Sequence, residues 1–124
     1  INPGADDETH ILAVQYLAED PNVDAVVVGL DPLSPAMRTL ATCENGRYNF
    51  DDPGSIAVEM PKLAERLDKP VVGGVDAGRL YDPLVDTLVR KGMAVFRSSD
   101  RAVRALALYI EGRLAAERLR QRPF

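Results

Sequence analysis

Two carboxylates, a hydroxyl group and a glycine stand where the sequence predicts the ends of buried strands. Asp31 and Asp76 each follow an apolar run directly, and Ser34 and Gly78 come shortly after them. Carboxylates in this position can serve as acids, bases or cation ligands, but acids there also form turns and cap helices. We therefore expect a crevice lined by these four residues at the carboxyl end of a sheet, with both interpretations of its acids open.

The remaining reactive residues do not complete a catalytic constellation. His10 is the only histidine, and no carboxylates are spaced around it as further metal ligands. It falls on the predicted buried face of a helix, which is typical of a packed or interface histidine rather than of a phosphoryl acceptor. Cys43, the only cysteine, is interpreted as a bystander, and Ser34 has no histidine partner for nucleophilic catalysis. The sequence predicts neither catalytic residues nor a metal site.

Known phosphate-binding motifs are absent from the sequence. No Gly-x-Gly-x-x-Gly follows a predicted strand, and there is no Gly-x-x-x-x-Gly-Lys-Ser/Thr loop. A phospho-acceptor receiver domain requires a lysine after a late strand, and Arg97 stands at that place. We therefore expect no cofactor to be bound by this chain alone.

Apolar runs alternate with helix signals and predict an α/β fold. The strands are predicted at residues 23–30, in the stretch 69–78 that ends in a glycine-rich turn, and at residues 93–96. Strands that alternate with helices form parallel sheets through right-handed crossovers. We predict a single domain over residues 1–124, a flavodoxin-like three-layer αβα sandwich with a mainly parallel sheet. A fourth strand is expected just upstream of Ile1 or within residues 44–50.

Each predicted helix has its own start or stop signal. The helices are predicted at residues 7–19, 35–41, 55–67 and 83–91, and from the cap at 98–100 to about residue 122. Asp6 and Ser34 are the expected caps of the first two, Pro61 should kink or restart the third, and Gly92 should end the fourth. The expected buried stripes are His10, Ala13, Val14 and Leu17 on the first helix, and Val103, Leu106, Ala107, Ile110 and Leu114 on the last.

The charge of the chain is distributed unevenly. The net charge is −4, but residues 1–37 contain seven acids and no Lys or Arg, whereas residues 90–124 contain nine bases and three acids. We expect the first and last helices to lie side by side with complementary charge. Since the chain as a whole is acidic and its arginines lie along one helix without an aromatic platform, we expect no nucleic-acid partner.

Composition is that of an ordinary globular chain, with 46% hydrophobic and 27% charged residues. No apolar run approaches the roughly 20 residues that span a bilayer, and no secretory signal is present. We therefore expect a cytoplasmic protein without a membrane partner. Because the chain begins at Ile1 in a turn-like sequence, we interpret it as part of a longer multidomain protein. The irregular segment 42–54 is expected to contact a partner domain or to be a plain surface loop.

Several segments together resemble one family. The first is Asn2-Pro3 and the acids that follow it, with the helix that ends in Leu17-Ala-Glu-Asp-Pro-Asn-Val-Asp-Ala-Val-Val-Val. The others are Lys69-Pro-Val-Val, Arg90-Lys-Gly-Met-Ala-Val-Phe and Ser98-Ser-Asp-Arg-Ala-Val-Arg-Ala-Leu. In order and spacing they resemble the C-terminal flavodoxin-like (CoA-ligase) domain of NDP-forming acyl-CoA synthetases, in the succinyl-CoA synthetase superfamily.

The resemblance implies a module of a multidomain ligase. Such enzymes couple a carboxylic acid to coenzyme A (CoA) with ATP/ADP and Mg, through a phosphohistidine on another domain. The implied partners are CoA-binding, histidine-bearing and ATP-grasp domains, and a homo-oligomer is also compatible with the family. His10 does not match the phosphorylated histidine. The amino end of a helix stabilises the phosphohistidine in this family, and the matching residues here are Asn2, Gly4 and Ala5.

Two alternatives to the ligase module remain open at this stage. One is a non-catalytic protein-interaction or regulatory module. The other is a small ligand-binding domain that uses the crevice of Asp31, Ser34, Asp76 and Gly78.

Overall fold

The computed structural model describes residues 1–41 and 49–123. In chain order, the elements are α1 (Asp7–Glu19), β1 (Val26–Gly29), α2 (Ile56–Arg66), β2 (Val71–Gly74), α3 (Asp82–Arg90), β3 (Ala94–Phe96) and α4 (Ser99–Arg120). A single 3-10 turn, Arg79–Tyr81, leads into α3. The chain is therefore an α/β protein, as the sequence predicts, although each predicted strand is longer than the observed one or begins earlier.

The three strands form one parallel sheet in the order β1-β2-β3. Val26 pairs with Val71 at one end of the β1–β2 ladder, and Gly74 pairs with Phe96 at the end of the β2–β3 ladder. β2 is central and buried throughout, which explains its apolar sequence without polar alternation. Because successive strands are added in one direction, right-handed connections put both crossover helices on the same face.

The face of the sheet that carries α1, α2 and α3 contains most of the core. Val26, Val28 and Val71 contribute the sheet side of this cluster. The helices contribute the following buried residues: Val14, Ala18, Ile56, Ala57, Met60, Leu63, Leu84, Val85 and Leu88. We call this the three-helix face.

Among the described elements, α4 alone covers the opposite face, which we call the single-helix face. Its cluster of buried residues consists of Val72, Ala102 and Leu106. The predicted stripe on the last helix is only partly correct, because Leu106 is buried whereas Val103 and Leu114 are 54% and 52% exposed. Three of the five residues of the predicted stripe, Val103, Ala107 and Leu114, are therefore exposed.

The pair Gly73-Gly74 allows close packing rather than a tight turn. A Cβ on Gly73 would lie 3.2 Å from side-chain atoms of Met93 and Val95. A Cβ on Gly74 would lie 3.4 Å from the Cα of Ser99 at the start of α4. The glycines therefore let β3 and the start of α4 approach the central strand.

The helix predicted at residues 35–41 is wrong. Residues 35–37 form turns and bends, and Met37 donates its amide to the Ser34 carbonyl at 3.2 Å. Ser34 does not cap a helix, because its buried hydroxyl donates to the Ala5 carbonyl at 3.4 Å. The tertiary contact of Ser34 with Ala5, shortly before α1, thus outweighs the local sequence signal for a helix start, which is a capping residue followed by proline.

The restart predicted at Pro61 is absent, since α2 continues through this residue without interruption. A proline inside a helix removes the amide that would bond to the carbonyl four residues earlier. Here that carbonyl belongs to Ala57, and the Lys91 ammonium donates to it at 3.2 Å. A side chain from the end of α3 thus replaces the missing backbone donor.

The first and last helices do not lie side by side, contrary to the charge-based prediction. α1 contacts α2 and β1, whereas α4 contacts the strands from the other face of the sheet. The buried face of α1 also differs from the prediction, because Asp7, His10, Val14 and Ala18 are buried while Leu17 is 50% exposed. The sheet separates the acidic and basic ends of the chain.

Part of the irregular segment lies outside the described residues. Cys43 and most of the candidate fourth strand at 44–50 fall within 42–48, so these predictions stay untested. Near the ends of this gap, Leu40 and Asn49 form an isolated parallel bridge. Among the described residues, no helix is long and apolar enough to cross a membrane.

Candidate functional site

The residues predicted to be functional gather at the carboxyl edge of the sheet. In a parallel α/β arrangement each helix begins where a strand ends, so the amino ends of the helices share this edge. The turn before α1 joins the loop after β1 through the hydrogen bond from Ser34 to Ala5. The predicted phosphate-stabilising turn and the predicted crevice are therefore neighbouring parts of one region.

Asp31 and Asp76 are both exposed at this edge. The Leu30 amide donates to the Gly74 carbonyl and thereby extends the β1–β2 ladder to its carboxyl end, and the two acids come after that end. One Asp31 carboxylate oxygen accepts the Leu33 amide at 3.1 Å, which is the geometry of a turn-forming aspartate. This contact favours the structural interpretation for Asp31. Asp76 has no hydrogen bond to the described residues.

Ser34 does not join the exposed acids, whereas Gly78 does. Ser34 is 7% exposed and points under the loop to Ala5, away from solvent. Gly78 is exposed, and its carbonyl accepts the Tyr81 amide at 3.1 Å. The structure thus brings Asp31, Asp76 and Gly78 to one edge and buries the hydroxyl predicted to accompany them.

The turn before α1 is closed by its own hydrogen bonds. The Gly4 amide donates to the Asn2 side-chain oxygen at 2.8 Å. The Ala5 amide donates to the Asn2 carbonyl at 2.9 Å. Both amides predicted to face a phosphate are therefore engaged within the turn.

The acids at the start of α1 point away from that turn in two directions. Asp6 caps its own helix, accepting from the Thr9 hydroxyl at 2.6 Å and from the Thr9 amide at 2.9 Å. These bonds, the hydroxyl first, lower the pKa of Asp6 below its ordinary value. Asp7 is 5% exposed and accepts the Ile56 amide at 2.6 Å and the Arg38 amide at 3.0 Å. Asp7, which belongs to α1, therefore accepts a hydrogen bond from the first amide of α2.

His10 is a packed histidine, 7% exposed, whose Nδ1 lies 2.8 Å from the Asp6 carbonyl. The prediction that His10 lies on a buried helix face is thus confirmed. Asp7 was missed as a structural acid because its partners, Arg38 and Ile56, are distant in the sequence.

Arg97 is a cation at the carboxyl edge. Its Nη2 donates to the Ala77 carbonyl at 2.6 Å and to the Gly78 carbonyl at 3.3 Å, and lies 3.0 Å from an Asp82 carboxylate oxygen. Its Nη1 is buried without a hydrogen-bond partner among the described residues. Arg97 thus fixes the loop after β2 to the end of β3. Its position after a late strand was the signal that marked it in the sequence.

The start of α4 completes this edge. Ser98 is the residue before the helix, and no helix amide donates to its side chain. Its hydroxyl instead hydrogen-bonds to the Asp100 carboxylate, which lowers the pKa of that acid. The first turns of α1 and α4 therefore both carry a carboxylate with a lowered pKa.

A groove of about 680 Å³ lies at the opposite, amino edge of β2 and β3. Lys69, Lys91, Phe96 and Tyr109 are among its lining residues. Both lysines donate to backbone carbonyls, Lys69 to Asp20 at 2.6 Å and Lys91 to Ala57, so neither is a free cation. None of the residues predicted to be functional lines this groove.

Within residues 1–41 and 49–123, no group of three or more His, Cys, Asp or Glu side chains is arranged to hold a metal ion. Comparison of the chain with protein-family models, with curated proteins and with solved structures gave no match.

Proposed function

We propose that this chain is the flavodoxin-like domain of an NDP-forming acyl-CoA synthetase and acts with the other domains of that ligase. The observation that carries the proposal is the agreement between the resembling segments and consecutive elements of one parallel sheet. The Asn2-Pro3 segment leads through α1 into β1, and the Lys69-Pro-Val-Val segment forms β2. The two later segments end in β3 and begin α4. The proposal includes the three-layer arrangement and a cytoplasmic location.

In this proposal the carboxyl edge of the sheet faces the histidine-bearing domain. The Asp6 and Asp7 carboxylates support this role because their hydrogen bonds direct them to Thr9 and to the start of α2. These bonds hold both carboxylates on protein donors and direct them away from the Asn2–Gly4 turn. For the Gly4 amide to donate to that phosphate, the Asn2 side chain has to release it.

The chemistry belongs to the assembled ligase. CoA, ATP/ADP and Mg bind to the partner domains, and this domain supplies backbone amides at a helix start, which favour an anion. The isolated chain is accordingly expected not to form acyl-CoA from a carboxylic acid, CoA and ATP. Turnover by the isolated chain would contradict the proposal.

The decisive experiment is a domain replacement. In a synthetase of the succinyl-CoA type, the resident domain of this kind is replaced by this chain, and phosphohistidine and acyl-CoA formation are measured. We expect both activities with this chain and neither after simple deletion. A matched variant, Asn2→Ala, frees the Gly4 amide and should preserve phosphohistidine. A replacement that folds and docks but gives no phosphohistidine would refute the assignment.

The reading frame that encodes Ile1 offers an independent test. The proposal expects it, or a neighbouring gene, to encode the histidine-bearing and ATP-grasp domains. Thermal unfolding of the isolated chain with CoA, ADP or FMN separates the ligand-binding alternative, because a ligand bound only by the folded state raises the unfolding temperature. A clear increase with FMN alone would favour that alternative.

A further inference from the structure

One flank of α4 presents apolar side chains that no other described element covers. Val103 is 54% exposed, Leu114 is 52% exposed, and Ala107 is exposed between them. The opposite flank carries Ala105 and Tyr109, which line the groove beside β3. With 3.6 residues per turn, the first flank therefore lies on the side of β1. We call it the β1-side flank.

The floor beside this flank is also apolar and open. Val27 lies on β1 and is 38% exposed, whereas its neighbours Val26 and Val28 point into the three-helix face. Since side chains alternate along a strand, Val27 belongs to the single-helix face. Exposed apolar side chains thus lie both on α4 and on the sheet face that α4 packs against, as expected of a surface that another helix covers.

Charged residues along the outer edge of the β1-side flank alternate in sign. Asp100, Arg104, Glu111 and Arg118 follow one another along α4 as acid, base, acid, base. No hydrogen bond or ion pair to the described chain involves the side chains of Arg104, Glu111 or Arg118. Their charges are therefore available to another molecule.

The pattern matches itself when the helix is reversed. If a second α4 lies antiparallel to the first, with the two-fold axis near residues 108 and 109, Val103 meets Leu114 of the second copy. In the same alignment Arg104 lies near Glu111 of the second copy, and Asp100 lies near its Arg118. A parallel alignment in register would instead place like charges together, which is unfavourable.

We propose that the β1-side flank is the interface of a two-fold dimer, in which α4 of one copy packs antiparallel against α4 of a second copy. The occupant is a second copy because the charge sequence of this flank is complementary to its own reverse. Such an interface uses the same patch on both subunits and closes at two. The dimer is independent of the activity proposed for the chain.

The first test measures molar mass against protein concentration by sedimentation equilibrium. The full chain should be a monomer–dimer system, and Leu114→Glu should weaken dimerisation by about tenfold or more, since each 1.4 kcal/mol is a factor of ten. Leu108→Glu is the matched control, because Leu108 is 63% exposed on a different side of α4. This control should dimerise as the unchanged chain does, and far-ultraviolet circular dichroism should verify the helix in both variants.

The second test exchanges charges across the interface. The Arg104→Glu and Glu111→Arg variants should each dimerise less well, since each change places like charges at both symmetry-related contacts between residue 104 of one copy and residue 111 of the other. Mixing the two variants should restore dimers, because a mixed pair has opposite charges at both positions. The double variant Arg104→Glu/Glu111→Arg should dimerise by itself. High salt should reduce these differences.

Three results would overturn the interface. The first is a chain that stays monomeric at every concentration tested. The second is a dimer that Leu114→Glu leaves intact, or that Leu108→Glu weakens equally. The third is assembly beyond two copies, which a closed two-fold interface does not produce.

Discussion

The two faces of the sheet differ in how many helices cover them. Among the described residues, the three-helix face buries a cluster of seventeen, whereas the cluster of the single-helix face has three. The strand order β1-β2-β3 explains this difference, because connections that run in one direction put the intervening helices on one side. The three-helix face forms a well-covered core, whereas the single-helix face retains exposed apolar surface.

Truncation of a large side chain should be most damaging on the three-helix face. Leu84 on α3 is fully buried, and Leu84→Ala would leave a cavity among α2, α3 and the sheet. We expect a loss of roughly 3–5 kcal/mol in the free energy of unfolding, as measured by urea denaturation. A loss below about 1 kcal/mol would mean that this face is loosely packed.

The same truncation on the single-helix face should cost less. Leu106 is 9% exposed and belongs to a cluster of three buried residues, so its neighbours can relax and water is near. We expect Leu106→Ala to lower the free energy of unfolding by about 2–3 kcal/mol. If Leu84→Ala and Leu106→Ala lower the free energy of unfolding equally, at a concentration where the chain is monomeric, the two faces do not differ in packing as proposed.

A polar link inside the three-helix face should rank next. Asp7→Ala leaves the Ile56 and Arg38 amides without their carboxylate acceptor. Loss of an acceptor from buried donors is expected to cost about 1–2 kcal/mol, measured again by urea denaturation. Glu8→Ala is the control, because it removes an exposed acid from the same first turn. If Glu8→Ala is equally destabilising, the effect arises from the helix dipole and not from the link to α2.

The smallest expected effect is a pH dependence at the start of α1. Hydrogen bonds from Thr9 lower the pKa of Asp6 in the folded state, so the folded state favours the ionised form. The resulting stability is present above the ordinary pKa of 3.8 and is lost as the pH falls through the folded-state value. Asp6→Asn keeps a capping oxygen but cannot titrate, so its stability should change less with pH over this range. Identical acid unfolding curves would contradict this assignment.

Local signals predicted most of the elements. Asp6 marks the start of α1, Ser55 the start of α2, and Gly92, with φ of 91°, the stop after α3. These cues work because each depends on backbone groups only a few residues away. The parallel arrangement followed from the alternation of strands and helices.

Non-local contacts decided what the sequence did not predict. Ser34 and Pro35 are a good helix start by local rules, yet the Ser34 hydroxyl bonds to Ala5, which lies 29 residues away. The stripe on α4 was predicted correctly as apolar, but its burial depended on how many helices share that face. In the candidate site, Asp31 and Asp76 lie at one edge of the sheet as predicted. The hydrogen bond that closes the turn at Gly4 could not be predicted from the sequence.

The Lys91 contact to α2 has a consequence for how the chain folds. A separate peptide of α2 would carry Pro61 with an unmatched Ala57 carbonyl, and it would be a poor helix. Lys91 supplies the donor only after α3 has docked against α2. We expect the middle of α2 and the end of α3 to become protected from hydrogen exchange together, as one cooperative unit of folding.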